Sequence, residues 1–410
     1  MSRPMKDSGI EWIGEIPESW GTIRFKFLHN GVNTGEAIDK EYWTFDEQDT
    51  IFYTAGLNPI RTNYSNFPEW KYTKKNDLLL ARNGTPYVYF PVANACYTDH
   101  IIRADMKLDT NKRFIQYALQ QSISSIVVDS VSIPTWSASL WNEQAIPYPS
   151  AKQQLAISAY LDEKCALIDS VIEKTKASIE EYKKLRQAVI TQAVTKGIRG
   201  NRTMKNSGIA WIGEIPEEWS VLKFKYVATV KSNLVHPNEY QNYMQVAPDN
   251  IEKGTAKLLD CKTVGEIGIE SNNHLFYKGQ IVYSKIRPVL NKVIIAPFDG
   301  LCSADMYPIE TTINKYFLVY MMLSDRFLSQ VKLVTENRVK MPKINQEELS
   351  QILIYLPSAD EQQEIADYLD KKCAEIDTLI TKKEQFLKEL ESYKKSLIYE
   401  YVTGKKEVQA

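Results

Sequence analysis

Two stretches of the chain place apolar residues at helical spacing over an unusual length. In the first stretch, six such residues fall at seven-residue multiples or at the +4 positions between them: Leu161, Ile168, Ile172, Ile179, Tyr182 and Val189. The second stretch repeats the arrangement with Leu369, Ile376, Leu379, Phe386, Leu390 and Leu397, beside Ile380, Leu387 and Tyr393. An apolar stripe of this period is typical of helices that pair with one another. We therefore predict that these residues form a helix-pairing seam.

Each stretch also carries start and stop signals. A capping-box pattern begins both stretches: Ser150 with Gln153, and Ser358 with Glu361. Gly197 and Gly404 supply the stops. Each helix would run for about 45 residues, or roughly 65 Å. Because a helix of that length outruns a compact domain, pairing of the two helices is favoured over the alternative, core packing within one domain.

The regions that precede the two long helices have a different texture. Short β-type runs broken by turn residues occur at residues 50–56, 77–84, 87–93, 274–288 and 293–300. Amphipathic segments after Asn111 and Asn314 predict one or two helices packed on each sheet. These regions are expected to be α+β domains.

The chain contains an internal duplication. Residues 5–28 recur at 204–227 with 15 of 24 positions identical, and residues 149–169 return at 357–377. The middles of the two halves share only fragments, so a constant frame surrounds variable inserts. We predict four parts: a scaffold segment and first domain at 1–149, a central helix at 150–200, a scaffold repeat and second domain at 201–357, and a C-terminal helix at 358–410.

Composition narrows the class of protein but not its ligand. The 410 residues exceed what one core usually organises. No apolar run approaches the ~20 residues of a membrane span, and the N-terminus lacks the apolar core of a secretory signal. Five scattered cysteines indicate reduced thiols, and we expect a cytoplasmic protein. The net charge of −1 argues neither for nor against nucleic acid, so a DNA-binding hypothesis needs local evidence.

Three motifs carry a family resemblance. They are the phrase SGIEWIGEIPESW, repeated as SGIAWIGEIPEEW, the segment IVYSKIRP, and the entries PSAKQQ and PSADEQQ into YLDEKCALID and YLDKKCAEID. Together they resemble the specificity subunits of Type I restriction-modification systems over nearly the whole chain. The resemblance implies two α+β target-recognition domains in a pseudo-twofold arrangement, separated by two long antiparallel helices that form a coiled coil.

The resemblance also implies a function. The chain would recognise a bipartite sequence in double-stranded DNA without catalysing a reaction. Two methyltransferase subunits and restriction or motor subunits would join it, and would carry out N6-adenine methylation and ATP-dependent cleavage. No cofactor is expected in this chain, since S-adenosylmethionine, ATP and Mg²⁺ would belong to those partners.

Candidate DNA contacts are basic or polar residues in loops, because lysine and arginine neutralise phosphates and arginine can also bind a guanine edge. One group lies in a loop of the second domain: Lys332, Arg338, Lys340 and Lys343. Aligning Pro134 with Pro342 places Trp136 in the corresponding stretch of the first domain. The alternative for this group is a solvated surface loop.

A second group follows β-type runs at the same relative position in both halves. It comprises Arg82 and Asn83, which align with the region of Lys285 and Arg287, together with Tyr87, Asn291 and Lys292. Arg82 aligns with Lys285, which favours a shared phosphate contact, although a structural salt bridge is the competing interpretation.

Other functions were weighed against this hypothesis. Trp12 and Trp211 lie in the repeated frame and are assigned to the core or to a partner surface. Asp249, Asp260 and Lys262 match a degenerate nuclease spacing, but the pattern occurs in one half only. The chain has no Pro-Pro pair of an adenine methyltransferase and no P-loop. The remaining alternative is a coiled-coil protein–protein adaptor that does not bind DNA.

Overall fold

The computed structural model describes residues 3–126, 134–207, 213–336, 338 and 342–408. The chain divides into two compact units. The first unit consists of residues 1–174 and 386–410, and the second of residues 175–385. The division falls inside both long helices, so each unit contains part of each.

The first unit begins with short strands and continues into an α+β domain. Its strands are β1 (Met5–Asp7), β2 (Glu15–Pro17), β3 (Gly21–Arg24), β4 (His29–Thr34), β5 (Trp43–Thr44), β6 (Thr50–Tyr53), β7 (Ile60–Thr62), β8 (Asp77–Ala81), β9 (Val88–Tyr89), β10 (Cys96–Tyr97), β11 (Ile101–Met106) and β12 (Ala145–Tyr148). Its helices are α1 (Lys112–Ser124), α2 (Ala138–Asn142) and the first part of α3 (Ala151–Lys196).

Two four-stranded sheets organise this domain. The order β4-β11-β8-β9 is antiparallel throughout, and β8 lies near its centre with every residue buried. The second sheet has the order β10-β6-β7-β5, in which β10 and β6 are parallel. The continuous apolar run of β8 is explained by burial on both faces. The pairs β1-β2 and β12-β3 stand apart from these sheets.

The second unit repeats this plan. Its strands are β13 (Met204–Asn206), β14 (Glu214–Pro216), β15 (Ser220–Lys223), β16 (Ala228–Val230), β17 (Leu234–Val235), β18 (Met244–Val246), β19 (Asn273–Phe276), β20 (Ile281–Ser284), β21 (Val293–Ile295), β22 (Gly300–Cys302), β23 (Met306–Thr311) and β24 (Leu353–Leu356). Its helices are the last part of α3, α4 (Val264–Ile267), α5 (Lys315–Leu323), α6 (Asp325–Thr335), α7 (Gln346–Gln351) and the first part of α8 (Ala359–Val402). The last part of α8 belongs to the first unit.

The first sheet is the same in both units and the second sheet is not. The order β16-β23-β20-β21 matches β4-β11-β8-β9 strand for strand. In the second sheet, the parallel pair β18 and β22 corresponds to β6 and β10. In the second unit, the other two strands extend the sheet from β22, which gives the order β17-β19-β22-β18. In the first unit, they extend it from β6, which gives the order β10-β6-β7-β5. The variable inserts therefore share one sheet and differ in the other.

The two long helices run antiparallel, as contacts within each unit demonstrate. In the first unit, Lys394 of α8 binds Asp169 of α3 with 2.6 Å between Nζ and Oδ1. In the second unit, Arg186 of α3 lies 2.9 Å from Asp377 of α8. Asp169 and Asp377 occupy the same position of the duplicated block, as do Arg186 and Lys394. Each unit thus contains the same ion pair with the roles of the two helices exchanged.

All six seam candidates on α3 are buried or partly buried, whereas two of the six on α8 are exposed. On α3, the buried positions Leu161, Cys165, Ile168, Ile172, Thr175 and Ile179 follow one another in steps of three and four, and Arg186 is buried one heptad later. On α8, the buried positions Leu369, Cys373 and Ile376 follow the same steps, and Leu397 is buried three heptads later. Tyr182, Val189, Ile380, Leu387 and Leu390 are partly buried.

The prediction was wrong for Leu379 and Phe386. They expose 41% and 43% of their surface, and Tyr393 exposes 57%. These residues follow the buried row by three positions, which turns them about 60° around the helix to the flank of the pair. The buried row and the exposed row repeat every seven residues, so the sequence pattern alone cannot distinguish which of them lies in the seam. Cys165, Thr175 and Arg186 are also buried, but a pattern of strongly apolar residues does not include them.

Helices α3 and α8 begin directly after Ser150 and Ser358 and end at Lys196 and Val402, but their caps differ. Ser150 and Gln153 form a reciprocal capping box, with Ser150 N donating to Gln153 Oε1 at 3.2 Å and Gln153 N donating to Ser150 Oγ at 3.4 Å. At the corresponding position of α8, the Glu361 carboxylate turns away from the helix end. It binds the Arg202 guanidinium and accepts a 3.0 Å hydrogen bond from the Trp219 indole. One position therefore serves as a cap in α3 and as a buried ionic anchor in α8.

A tyrosine ties each domain to a long helix of its own unit. The Tyr117 hydroxyl of α1 donates to Asp162 at 2.8 Å, and the Tyr320 hydroxyl of α5 donates to Asp370 at 2.6 Å. Burial, reinforced by the hydrogen-bonded carboxylate, raises the pKa of both tyrosines. Both therefore stay protonated donors at neutral pH. Among the described residues, no helix has the length and apolar character needed to cross a membrane.

We expect Ile376→Ala to lower the free energy of unfolding by about 2–4 kcal/mol, because it empties a buried seam position. Leu379→Ala, three residues further along the same helix, should cost less than about 1 kcal/mol because that side chain is already half exposed. Urea unfolding of the two variants measures the difference. Equal losses would contradict the placement of the seam.

A second comparison tests the anchor at the start of α8. Glu361→Ala leaves the Arg202 guanidinium and the Trp219 indole without their shared acceptor, and should cost about 3 kcal/mol or more. Gln153→Ala at the corresponding position of α3 removes only half of a capping box and should cost about 1 kcal/mol. Chemical unfolding of both variants decides, and a Gln153→Ala loss as large as that of Glu361→Ala would refute the assignment.

Candidate nucleic-acid interface

In the first unit, three chain segments meet where strand β8 ends. Arg82 N donates to His100 O at 2.8 Å, and Trp136 N donates to Arg82 O at 2.6 Å. Gly84 N donates to Pro134 O at 2.9 Å. The loop after β8 is thereby held between the residues that precede β11 and the segment that leads to α2. We call this arrangement the first strand-end junction.

The second unit builds the same arrangement after β20. Lys285 N donates to Asp305 O at 3.0 Å, and Ile344 N donates to Lys285 O at 2.9 Å. Arg287 N donates to Pro342 O at 2.8 Å. We call this the second strand-end junction. The three bonds correspond one to one with those of the first junction, which explains why Arg82 aligns with Lys285 and Pro134 with Pro342.

An isolated bridge completes the match between the two junctions. Asn83 pairs with Thr135 in the first unit, and Ile286 pairs with Lys343 in the second. All of these bonds join main-chain atoms, so they do not depend on which side chains are present. The backbone of the two junctions is shared and their side chains are free to differ.

The first junction presents a small set of polar groups. Arg82 is exposed, and its Nη1 lies 3.3 Å from Asp99 O. Asn83 Nδ2 lies 2.7 Å from His100 Nδ1, and His100 is exposed. Sequence reasoning missed His100, because nothing local marks the residue before a strand as a partner of a loop 17 positions earlier. The cluster offers both donors and acceptors to a ligand.

The second junction is dominated by cations. Lys285 Nζ lies 5.3 Å from the centroid of the Tyr307 ring. Lys343 Nζ lies 3.1 Å from Asp305 Oδ1. Arg287 is exposed, and its guanidinium has no side-chain or main-chain partner among the described residues. The two junctions therefore differ in charge although they share a backbone.

Two of the basic residues in the loop region of the second unit are placed outside the junction. Arg338 binds the Glu348 carboxylate and the Lys343 main-chain oxygen. Lys332 is exposed on α6. Lys340 lies outside the described residues. Among the described residues of this cluster, Lys343 is part of the second junction through its bridge to Ile286, and Arg338 contacts the junction through the Lys343 main-chain oxygen.

Trp136 and Asn291 are not surface contacts, contrary to the sequence-based expectation. Trp136 is 3% exposed, and its indole N–H donates to Gly84 O at 2.7 Å. Asn291 is 4% exposed, and neither polar atom of its amide has a hydrogen-bond partner among the described residues. Because the Trp136 ring is buried and hydrogen-bonded to Gly84, it supports the junction and is not presented to a ligand at the surface.

Lys292 and Tyr87 also have structural roles. The Lys292 ammonium donates to Pro248 O at 2.7 Å and lies 3.5 Å from the Asp249 carboxylate, with 13% of the side chain exposed. Tyr87 is partly buried, and its ring lies 4.7 Å from that of Tyr89. The Lys292 ammonium is therefore engaged by Pro248 and Asp249 within the second unit. The salt-bridge alternative concerned Arg82 and Lys285, and among the described residues their side chains contact the Asp99 main-chain oxygen and the Tyr307 ring rather than a carboxylate.

The backbone at position 287 is strained where its counterpart is not. Gly84 adopts the left-handed conformation with φ 77°, and Arg287 adopts it with φ 44°. Glycine enters this region freely, whereas a residue with a Cβ pays about 1–2 kcal/mol. Both junctions require a left-handed residue at this turn. The first unit has glycine there, which adopts this conformation without strain, and the second unit has arginine.

The structure does not support a metal site at the nuclease-like spacing. Asp249 faces Lys292, and the main-chain oxygen of Asp260 accepts a hydrogen bond from Asn250 at 2.7 Å. Within the described ranges, no group of three or more metal-binding side chains occurs. In the repeated frame, the Trp12 indole donates to Ala145 O at 3.2 Å, and Trp211 lies outside the described residues.

Comparison with known proteins places this geometry in a family. Residues 216–389 match the family described as Type I restriction modification DNA specificity domain. The chain is 32% identical over 389 residues to the Type I restriction enzyme EcoDI specificity subunit of Escherichia coli, covering 89% of this chain and 84% of that protein. It is 25% identical over 422 residues to the Type I restriction enzyme MjaVIII specificity subunit of Methanocaldococcus jannaschii, covering 95% and 93%.

A solved structure shares the fold. It comes from work titled "Structural basis underlying complex assembly and conformational transition of the type I R-M system", and aligns with a TM-score of 0.68 over 94% of this chain and 98% of that one. The sequence identity is 12%, so this likeness speaks for the fold alone. It agrees with the predicted α+β class. The extent and identity of the match to the Escherichia coli protein settle the family: the chain belongs to the DNA specificity subunits of Type I restriction-modification systems.

Proposed function

We propose that this chain recognises a bipartite sequence in double-stranded DNA and directs adenine methylation and restriction by partner subunits of a Type I complex. It is the specificity subunit of that complex and does not itself carry out the chemistry. The observation that carries the proposal is the pair of strand-end junctions, in which one backbone arrangement presents two different sets of side chains. Two unlike words of DNA require two unlike surfaces.

The chemistry of each junction fits a nucleic-acid ligand. The exposed cations Arg82 and Arg287 and the partly buried Lys285 can neutralise phosphates. Asn83 and Arg287 have side chains that can also form paired hydrogen bonds with base edges in the major groove. Loops held by main-chain bonds at the end of a buried strand are rigid supports for such contacts.

The partners follow from the duplicated frame. Two methyltransferase subunits would bind its two copies, and restriction or motor subunits would join the assembly. Exposed apolar residues support a protein surface on the long helices: Val171 and Leu185 of α3, and Leu379, Phe386 and Tyr393 of α8. S-adenosylmethionine, ATP and Mg²⁺ would be bound by those partners.

The test is selection of targets from a randomised DNA library. The chain, assembled with its methyltransferase subunits and S-adenosylmethionine, is expected to methylate adenines in two short fixed words separated by a stretch of unspecified sequence. Methylation of one uninterrupted word would contradict the bipartite proposal. Methyltransferase binding without any selection of DNA would favour a protein–protein adaptor instead.

A matched pair of lysines tests whether the second junction contacts DNA. Lys285 follows strand β20 and Lys278 precedes it, and Lys278 is exposed. In the assembled complex, Lys285→Ala should weaken binding to all sequences and reduce the slope of log affinity against log salt by about 1. Lys278→Ala, at the opposite end of the same strand, should leave that slope unchanged. Titrations at several salt concentrations measure both, and equal slopes for the two variants would exclude Lys285 from the interface.

A further inference from the structure

Arg287 differs from the other cations near the second junction because its guanidinium has no partner among the residues that the structure describes. Lys343 lies against Asp305, Arg338 against Glu348, and Lys292 against Asp249. The structure describes no carboxylate, carbonyl or ring that binds the Arg287 guanidinium. Because no described residue occupies them, the five N–H donors of the Arg287 guanidinium can bind a ligand.

The backbone of Arg287 is fixed on both sides. Its N–H donates to Pro342 O at 2.8 Å, and its carbonyl accepts from Leu290 N at 2.8 Å. Lys285, two residues earlier, is tied on both sides to the chain around it. The guanidinium therefore extends from a rigid support, which limits the loss of conformational freedom on binding.

Stability does not explain why an arginine stands at this position. The corresponding residue of the first junction is Gly84, which makes the same main-chain bond and adopts the left-handed conformation without a Cβ. Glycine would serve the second junction equally well. The arginine is retained in a strained backbone although its side chain stabilises nothing within the described structure. Strain of this kind is characteristic of residues kept for function.

We propose that Arg287 determines specificity in the second half-site by binding the O6 and N7 atoms of a guanine in the major groove. This deepens the proposed function and rests on it. The planar guanidinium offers two parallel donors to the two acceptors of guanine, a pairing that an ammonium group cannot reproduce. The first junction has Gly84 at this position, so this particular guanine contact belongs to the second half-site only.

The experiment compares the assembled complex carrying the wild-type chain, Arg287→Gly or Arg287→Lys on the randomised DNA library. Arg287→Gly should lose about 10- to 100-fold of the preference for guanine at one position of the second half-site and keep the first half-site unchanged. Its Tm should be equal to or higher than that of the wild type, because the strain is relieved. Arg287→Lys should keep the salt dependence of binding but lose the guanine preference.

Asn201→Gly is the matched control. Asn201 is an exposed residue of the same unit with φ 53°, so the substitution relieves the same kind of strain away from the junction. Its selected sequence should equal that of the wild type.

Three outcomes would overturn the assignment. If Arg287→Gly selected an unchanged DNA sequence, the Arg287 side chain would contribute nothing to base recognition. If Arg287→Lys kept the guanine preference, the paired hydrogen bonds of a guanidinium would not be its cause. A lowered Tm with selection lost at every position would make Arg287 structural. If the wild-type complex selected no bipartite word, the proposed function itself would fail, which is a distinct result.

Discussion

The antiparallel pairing of α3 with α8 is the constraint on which both units depend. Because the helices run in opposite directions, the first unit is completed by the end of α8 and the second by the end of α3. Buried side chains repeat along both helices in steps of three and four, and each fully buried Leu or Ile contributes about 1.5–3 kcal/mol. The exchanged ion pairs of Asp169 with Lys394 and of Asp377 with Arg186 fix the direction and register of the pairing.

In both recognition domains, the main-chain bonds of the junction are constant and its side chains vary. Three main-chain hydrogen bonds and one isolated bridge hold each strand-end junction, and none of them depends on a side chain. Substitutions at Arg82, Asn83 or Gly84 and at their counterparts Lys285, Ile286 and Arg287 can therefore change the ligand without disturbing the support. Trp136 illustrates the other role, since it is buried and holds Gly84 through its indole N–H.

The parts of this structure that follow from local rules could be predicted from the sequence. The long helices begin and end where the caps and glycines indicate, and strands β6, β8, β20 and β21 fall within the predicted β-type runs. The helices after Asn111 and Asn314 are present as well, each with its asparagine as N-cap. Hydrophobic period and capping chemistry act within a few residues, so one sequence contains enough information to find them.

Features that arise from distant contacts could not be predicted in this way. Lys292 resembles a surface cation until Asp249 is placed beside it, and Leu379 resembles a seam residue until Ile376 is seen to occupy the seam. His100 joins the first junction through a main-chain contact with Arg82, 18 positions earlier, that no spacing rule marks. The different strand orders of the two second sheets also depend on pairings that periodicity does not encode.

The central claim is that the two junctions are interchangeable supports for different recognition surfaces. The most direct measurement uses a chain in which residues 228–353 replace residues 29–145, so that both units carry the second domain. Assembled with the methyltransferase subunits and S-adenosylmethionine, this chain should methylate targets that contain the second half-site word twice and should no longer require the first word. Continued selection of the first word by the exchanged chain would contradict the account.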